Sequence, residues 1–314
     1  MPRDNRRGES QQGHRGGRRG PSRAQQATAH IAAMEKSCAG EIASSLAGVK
    51  EFSELPATPE HEPNVPTVEV VDESSSSAVL RLGRGIASRC DMAVLDFASF
   101  VSPGGGYERG AWAQEEALCA DSFLYNVLSQ KADWYAENRR HNINCELYRN
   151  RGLAVPAVRF EREKFHSYSD VIVVAAPNAK LARERYHVSD AQLSEHMRSR
   201  IAFVMGIADS LGHDKLVLGA YGCGVFGWDA AEVAEMFREE LASGKHVATK
   251  VTFSIPRGRA DENLEVFQHA FATFPEKNDA PYRSRAELEA ERSRERAEQQ
   301  ADEDEEEDDW RKYL

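Results

Sequence analysis

The chain has no Cys-x-x-Cys pair. Its five cysteines, Cys38, Cys90, Cys119, Cys145 and Cys223, are odd in number and widely scattered. Neither a thiolate zinc site nor a disulfide framework is expected, and reduced thiols in a reducing compartment are the plain reading. No apolar run approaches the roughly 18 residues that cross a bilayer, and the opening MPRDNRRGES lacks the apolar stretch of a secretory leader. The expected location is therefore the cytosol or nucleus. No Gly-Lys-Ser/Thr follows a glycine-rich stretch, which disfavours ordinary NTP hydrolysis. Histidines and acids at metal-ligand spacing are also missing from the sequence, so no metal is expected.

Basic charge is scarce outside one end. Residues 1–30 carry seven arginines against Asp4 and Glu9, a net of +5, and residues 285–314 carry thirteen acids against six bases, a net of −7. Of the formal −11, about −9 then belongs to residues 31–284. Such an acidic body is a poor partner for duplex DNA, whose phosphates need basic surface. The apolar fraction of 41% is slightly low, and the deficit sits at the ends of the 314 residues. We expect one domain over 24–278, a disordered Arg/Gly-rich tail at 1–23 and an acidic, disordered tail at 279–314. Within that last segment, Glu287 to Glu298 reads as a solvated helix.

The body alternates strand-like and helix-like segments. Thr67–Val71, Met92–Phe97, Val171–Ala176, Leu216–Ala220 and Lys250–Ile255 read as strands. Ala24–Val49, Ser74–Ile86, Gln114–Asn138, Asp190–Leu211 and Asp229–Leu241 read as helices. The fold class expected is α/β, a three-layer α/β/α arrangement with a mixed central sheet and an N-terminal helical extension.

Two loops are rich in glycine. Ser102-Pro103-Gly104-Gly105-Gly106 follows the strand ending at Phe97, and Gln114-Glu115-Glu116 comes after a seven-residue spacer. The second loop, Gly219-Ala220-Tyr221-Gly222-Cys223-Gly224-Val225-Phe226-Gly227, precedes a helix with Asp229 as its N-cap. Ligands of open α/β sheets collect where strand ends meet such loops. Backbone N–H groups turned inward at a helix start bind diphosphate without lysine. Taken alone, a glycine-rich turn is only a tight turn, and acids in a first helical turn are simply favourable there. Adjacent carboxylates next to three glycines tip the reading toward a backbone cradle for a phosphorylated ligand, with acids held against it.

The run Asp96-Phe97-Ala98-Ser99, the glycine triplet and the spaced Gln-Glu-Glu resemble the signature of poly(ADP-ribose) glycohydrolases. GAYGCGVFG is similar to the diphosphate loop of their bacterial-type branch, and Ala176-Pro177-Asn178 to a tripeptide after a strand there. The resemblance spans about Ala24 to Pro275 and implies a macrodomain-like fold. It also implies hydrolysis of ribose–ribose O-glycosidic bonds, mainly from chain ends, with release of ADP-ribose. Glu116 is the implied catalytic acid, and Glu115 and Gln114 are expected to position the ribose. Gly104, Gly105 and Gly106 with Gly222, Cys223, Gly224, Val225 and Phe226 are expected to hold the diphosphate and distal ribose, Phe226 lying against that sugar. Asp96, Ala98, Ser99 and Asn178 complete the expected substrate contacts. Ser99 stands where animal-type relatives have Asn, which bears on one ribose contact.

No cofactor is implied, and the implied partners are poly(ADP-ribose) and ADP-ribosylated proteins, met as a monomer. A macrodomain reader without hydrolysis, and a hydrolase of another ADP-ribose conjugate, are the alternative readings. His166, His187 and His213 read as surface or core histidines, and Cys223 as a small loop residue.

Overall fold

The computed structural model describes residues 20–84, 90–259 and 261–311. Most of the tail expected at 1–23 lies outside them. In place of one N-terminal helix there are two, α1 (Arg23–Ser37) and α2 (Ala39–Ala47). Ser22 and Gln25 close a capping box at the start of α1. Cys38 ends that helix, donating its N–H to Met34 O, and its own carbonyl opens the next by accepting from Ile42 N. Next come β1 (Lys50–Phe52), β2 (Thr67–Val71), α3 (Ser75–Gly83) and β3 (Cys90–Phe97).

The helix expected over 114–138 is broken into α4 (Gln114–Ala120), α5 (Leu124–Leu128) and α6 (Ala132–His141). Ser122 explains the first break. Its hydroxyl donates to Leu118 O at 2.6 Å and accepts from Leu124 N at 3.1 Å, so a side chain takes partners the helix ladder would use. β4 (Gly152–Arg162), β5 (Phe165–Val174), α7 (Ala179–Tyr186), α8 (Asp190–Leu211), β6 (Lys215–Leu218), α9 (Ala230–Ala242), β7 (Lys250–Ser254) and α10 (Asn263–Ala270) follow. The last element, α11 (Arg285–Arg311), takes in the helix expected over Glu287–Glu298 and continues into the acidic run that was expected to be disordered. Its first turn is tied down by Arg285, which donates to Asp261 O at 2.6 Å and meets Glu265 at 3.1 Å. No helix among the described residues is long and apolar enough to cross a membrane.

Among the described residues seven strands form one mixed sheet in the order β1-β4-β5-β3-β6-β7-β2. The run from β5 to β2 is parallel, while β4 pairs antiparallel with both β1 and β5. Alternation along β3 feeds two cores. Ala93 and Leu95 join the layer of α7 to α10, and Met92 and Val94 join the layer built from α1 to α6. The hairpin of β4 and β5 turns through exposed Glu163 and Lys164. Because β5, β3 and β6 are parallel neighbours, their ends at Val174, Phe97 and Leu218 deliver three loops to one edge of the sheet.

Candidate active site

Three acids converge where β3 meets α4. Gln114 fastens the helix to the strand: its amide donates to Leu95 O at 2.8 Å and accepts from Phe97 N at 2.9 Å, as an adjoining strand would. Ser75 Oγ takes the other amide proton at 3.1 Å. With Gln114 anchored, Glu115 and Glu116 are carried to the mouth of the β3 loop. Glu115 Oε2 accepts from Ser99 N at 2.7 Å, and the Gly104 N–H also reaches this carboxylate. Glu116 Oε1 accepts from Gly106 N at 2.8 Å and its Oε2 from Ala113 N at 2.9 Å. Asp96 lies beneath them, 0% exposed, with neither oxygen partnered.

Burial, and then the charge of Glu116, pushes the Asp96 carboxyl well above the usual carboxylate range. Burial and then Asp96 do the same to Glu115, against the pull of the Ser99 and Gly104 N–H groups. Carboxyls with raised pKa at the mouth of a loop are a chemical resource as well as a cost to the fold. The glycines make the arrangement possible. Gly105 has φ +61°, and a Cβ there would sit 2.5 Å from Glu116 Oε1 and 2.8 Å from Glu115 Oε2. The Gly105 N–H goes to Ser102 O at 3.1 Å. The triplet therefore spends its amides on the acids and on its own turn, not on an open anion cradle.

The second loop uses its amides differently. Tyr221 OH donates to Val174 O at 2.9 Å and Trp228 Nε1 to Pro177 O at 2.7 Å, so two buried aromatic side chains pin the loop to the end of β5. Gly222, at φ +79°, lets the backbone pass Trp228, whose ring a Cβ would meet at 2.8 Å. Among the described residues no carbonyl takes the N–H groups of Gly224, Val225 and Phe226, and Gly224 and Val225 are exposed. Burial pushes the Cys223 thiol up, so it stays a neutral loop residue. Phe226 meets Tyr148 edge-on at 6.4 Å, and Tyr148 stacks on Phe100 at 4.4 Å. These rings form an apolar wall joining the two loops.

Comparisons with known proteins point to one family. A family model for the catalytic domain of microbial-type poly(ADP-ribose) glycohydrolase (PARG) matches residues 23–163. The solved PARG of Thermomonospora curvata is 28% identical, over 78% of this chain and 97% of that one, with a TM-score of 0.67. The same enzyme bound to the inhibitor ADP-HPD is 27% identical over 79% and 99%, also at 0.67. The PARG of Deinococcus radiodurans, in complex with ADP-ribose, is 32% identical over 72% of this chain and 95% of that one, at 0.62. The chain belongs to the poly(ADP-ribose) glycohydrolase family. No curated protein sequence matches it. Membership makes the chain a glycosidase on a macrodomain-like α/β fold.

Within this family member, the residues singled out from sequence gather around one edge of the sheet but differ in what they touch. Ala98 is buried, and Ser99 turns its hydroxyl to the N–H groups of Val101 and Ser102 at 3.4 and 3.2 Å. Gln114, expected on the ribose, has its amide fully engaged by β3 and Ser75. Asn178 caps α7 through Leu181 N at 3.1 Å, and its side chain also meets the Tyr148 hydroxyl.

Four participants were missed. Phe100 and Tyr148 sit in no motif, and Tyr148 is carried by a turn in which Asn144, Cys145, Glu146 and Tyr148 all have positive φ, a conformation sequence does not announce. Arg200 of α8 is buried beneath the site and donates to Ala175 O, to Tyr148 O at 2.8 Å and to Asn150 Oδ1 at 2.7 Å. The fourth is Tyr135, buried behind the acids with its hydroxyl unpartnered. At the far end of β3, residues distant in sequence do form a cluster of metal-ligating type: Cys90 Sγ lies 3.2 Å from Asp170 Oδ1, and His213 Nε2 2.9 Å from Asp170 Oδ2. Asp170 is instead engaged by these two side chains and by Ala157 N at 2.8 Å. Burial and then Asp170 hold the Cys90 thiol up at about 12.

Proposed function

We propose that this enzyme hydrolyses the ribose–ribose O-glycosidic bonds of poly(ADP-ribose) from chain ends and releases ADP-ribose, with Glu116 as general acid and then general base. The observation that carries the reading is the Glu116 carboxylate clamped between Gly106 N and Ala113 N, beside Glu115 and above Asp96. Each clamped oxygen keeps a second lone pair for the reaction. Glu116 gives its proton to the departing ribose oxygen as the C–O bond breaks, and an oxocarbenium-like sugar forms. The resulting carboxylate takes a proton from water, whose oxygen adds to the anomeric carbon.

Glu115, at 4% exposure and with Oε1 unpartnered, is placed to accept a ribose hydroxyl. The diphosphate falls to the N–H groups of Gly224, Val225 and Phe226. Asp96, sealed below, acts through the two glutamates. In this reading the catalytic body is residues 24–278, working as a monomer on polymer carried by ADP-ribosylated proteins in the cytosol or nucleus.

Glu116→Gln keeps the shape and removes the acid. Release of ADP-ribose from purified polymer is expected to fall by about 10²–10⁴-fold, with ADP-ribose affinity retained. Full turnover in that variant would discard the mechanism, and a wild type that binds ADP-ribose without releasing any from polymer would leave a reader.

A further inference from the structure

A further surface is built by the same stretch of chain that clamps Glu116. Gly106 holds Glu116 through its N–H, and its carbonyl accepts from Ala111 N at 3.1 Å. Ala113, two residues on, holds the other oxygen. Between them stands Trp112, 58% exposed, the guanidinium of Arg23 lying 5.3 Å from its ring centroid. A cavity of about 160 Å³ opens here, lined by Arg23, Gln26, His30, Tyr107, Gly110 and Trp112. Tyr107 OH meets His30 Nδ1 at 2.9 Å across its floor. Exposed Arg109, in the same loop, donates to Gly105 O at 3.2 Å. Trp134 and Trp228, by contrast, are buried.

We propose that this shelf binds the next ADP-ribose unit of the polymer, the one that departs when the terminal unit is cut, its adenine on Trp112 and its diphosphate on Arg23 and Arg109. The inference rests on the glycohydrolase reading above. The charge pattern selects this occupant. Residues 31–284 carry about −9 and repel a polyanion, yet the chain enters the fold at Arg23, preceded by six arginines in residues 1–19 against Asp4 and Glu9. An exposed indole with an arginine over it suits a purine nucleoside diphosphate, because every base offers a π face and guanidinium pairs with phosphate. The site is continuous with the catalytic loop. The residue that presents the shelf is the chain neighbour of the residue that clamps Glu116. In the proposed complex the ribose departing from Glu116 belongs to the unit held on Trp112.

The test compares wild type, Trp112→Ala, Trp112→Phe and Arg23→Gln. It reads kcat/KM on purified poly(ADP-ribose), and separately the Kd for ADP-ribose and for ADP-ribose oligomers. Trp112→Ala is expected to lower kcat/KM on polymer and oligomer affinity by about tenfold. Its ADP-ribose Kd should stay within about twofold and its saturated kcat little changed, with Trp112→Phe restoring most of the loss. Arg23→Gln should weaken oligomer binding at low salt and converge on wild type at high salt. Unchanged polymer kinetics, or an ADP-ribose affinity that falls in step, would overturn the shelf alone. A wild type that does not cleave polymer would overturn the glycohydrolase reading, and the oligomer-to-monomer affinity ratio would still decide whether Trp112 holds a second unit.

Discussion

Gly105 shows how little room the carboxylates of Glu115 and Glu116 leave. Alanine there must adopt φ +61° and place its Cβ 2.5 Å from Glu116 Oε1, so the carboxylate has to move. We expect Gly105→Ala to lower kcat by about 100-fold, a loss typical of displacing a catalytic group by 1 Å, and a variant with wild-type kcat would show that the clamp on Glu116 is not needed. Asp96 invites a measurement of stability against pH. Its folded pKa is raised by burial and Glu116, so the folded state binds a proton more tightly than the unfolded chain. That contribution is fully present below the ordinary aspartate range and is lost as pH climbs toward the folded value. Asp96→Asn removes the titration. Relative to wild type it should therefore gain in Tm between pH 4 and pH 8, by about 2–4 °C for each kcal/mol of relief. A difference in Tm that does not vary with pH would mean that Asp96 is not the strained acid.

At the scale of elements, the Gly224 loop and the β3 loop do different work. Nothing lies within 4 Å of a Cβ at Gly224, so Gly224→Glu should fold normally, yet it sets a carboxylate among the N–H groups assigned to the diphosphate. ADP-ribose affinity is expected to drop by at least about tenfold, the cost of like charges meeting across an interface, with Tm unchanged; calorimetric titration would show this, and an unaltered Kd would move the diphosphate elsewhere. Legibility also differed between elements. Thr67–Val71 and Met92–Phe97 could be read as strands because both are short, mainly apolar runs flanked by polar residues and proline, and both lie in strands. β4 could not, because Pro156 reads as a breaker. The strand tolerates it through a register shift between Val155 and Val158, where Ala157 takes φ +50° and gives its N–H to Asp170. The acid pair and both glycine loops were visible as motifs. The anchoring of Gln114 to β3 was not, since a side chain that mimics a neighbouring strand depends on tertiary approach.

Across the whole molecule, the two halves of the chain hold separate shares of the chemistry. Residues before the Glu163–Lys164 turn contribute α1 to α6 and all three acids, and residues after it contribute α7 to α10 and the Gly224 loop. The seam is the sheet itself, where β3 from the first half lies between β5 and β6 from the second. Cutting the chain at that exposed turn yields two fragments. Neither should release ADP-ribose alone, and mixing them should restore release; activity in either fragment by itself would contradict the division. The enzyme is in this sense a lock made of two unlike plates, and its turnover doubles as a gauge of whether they have come together.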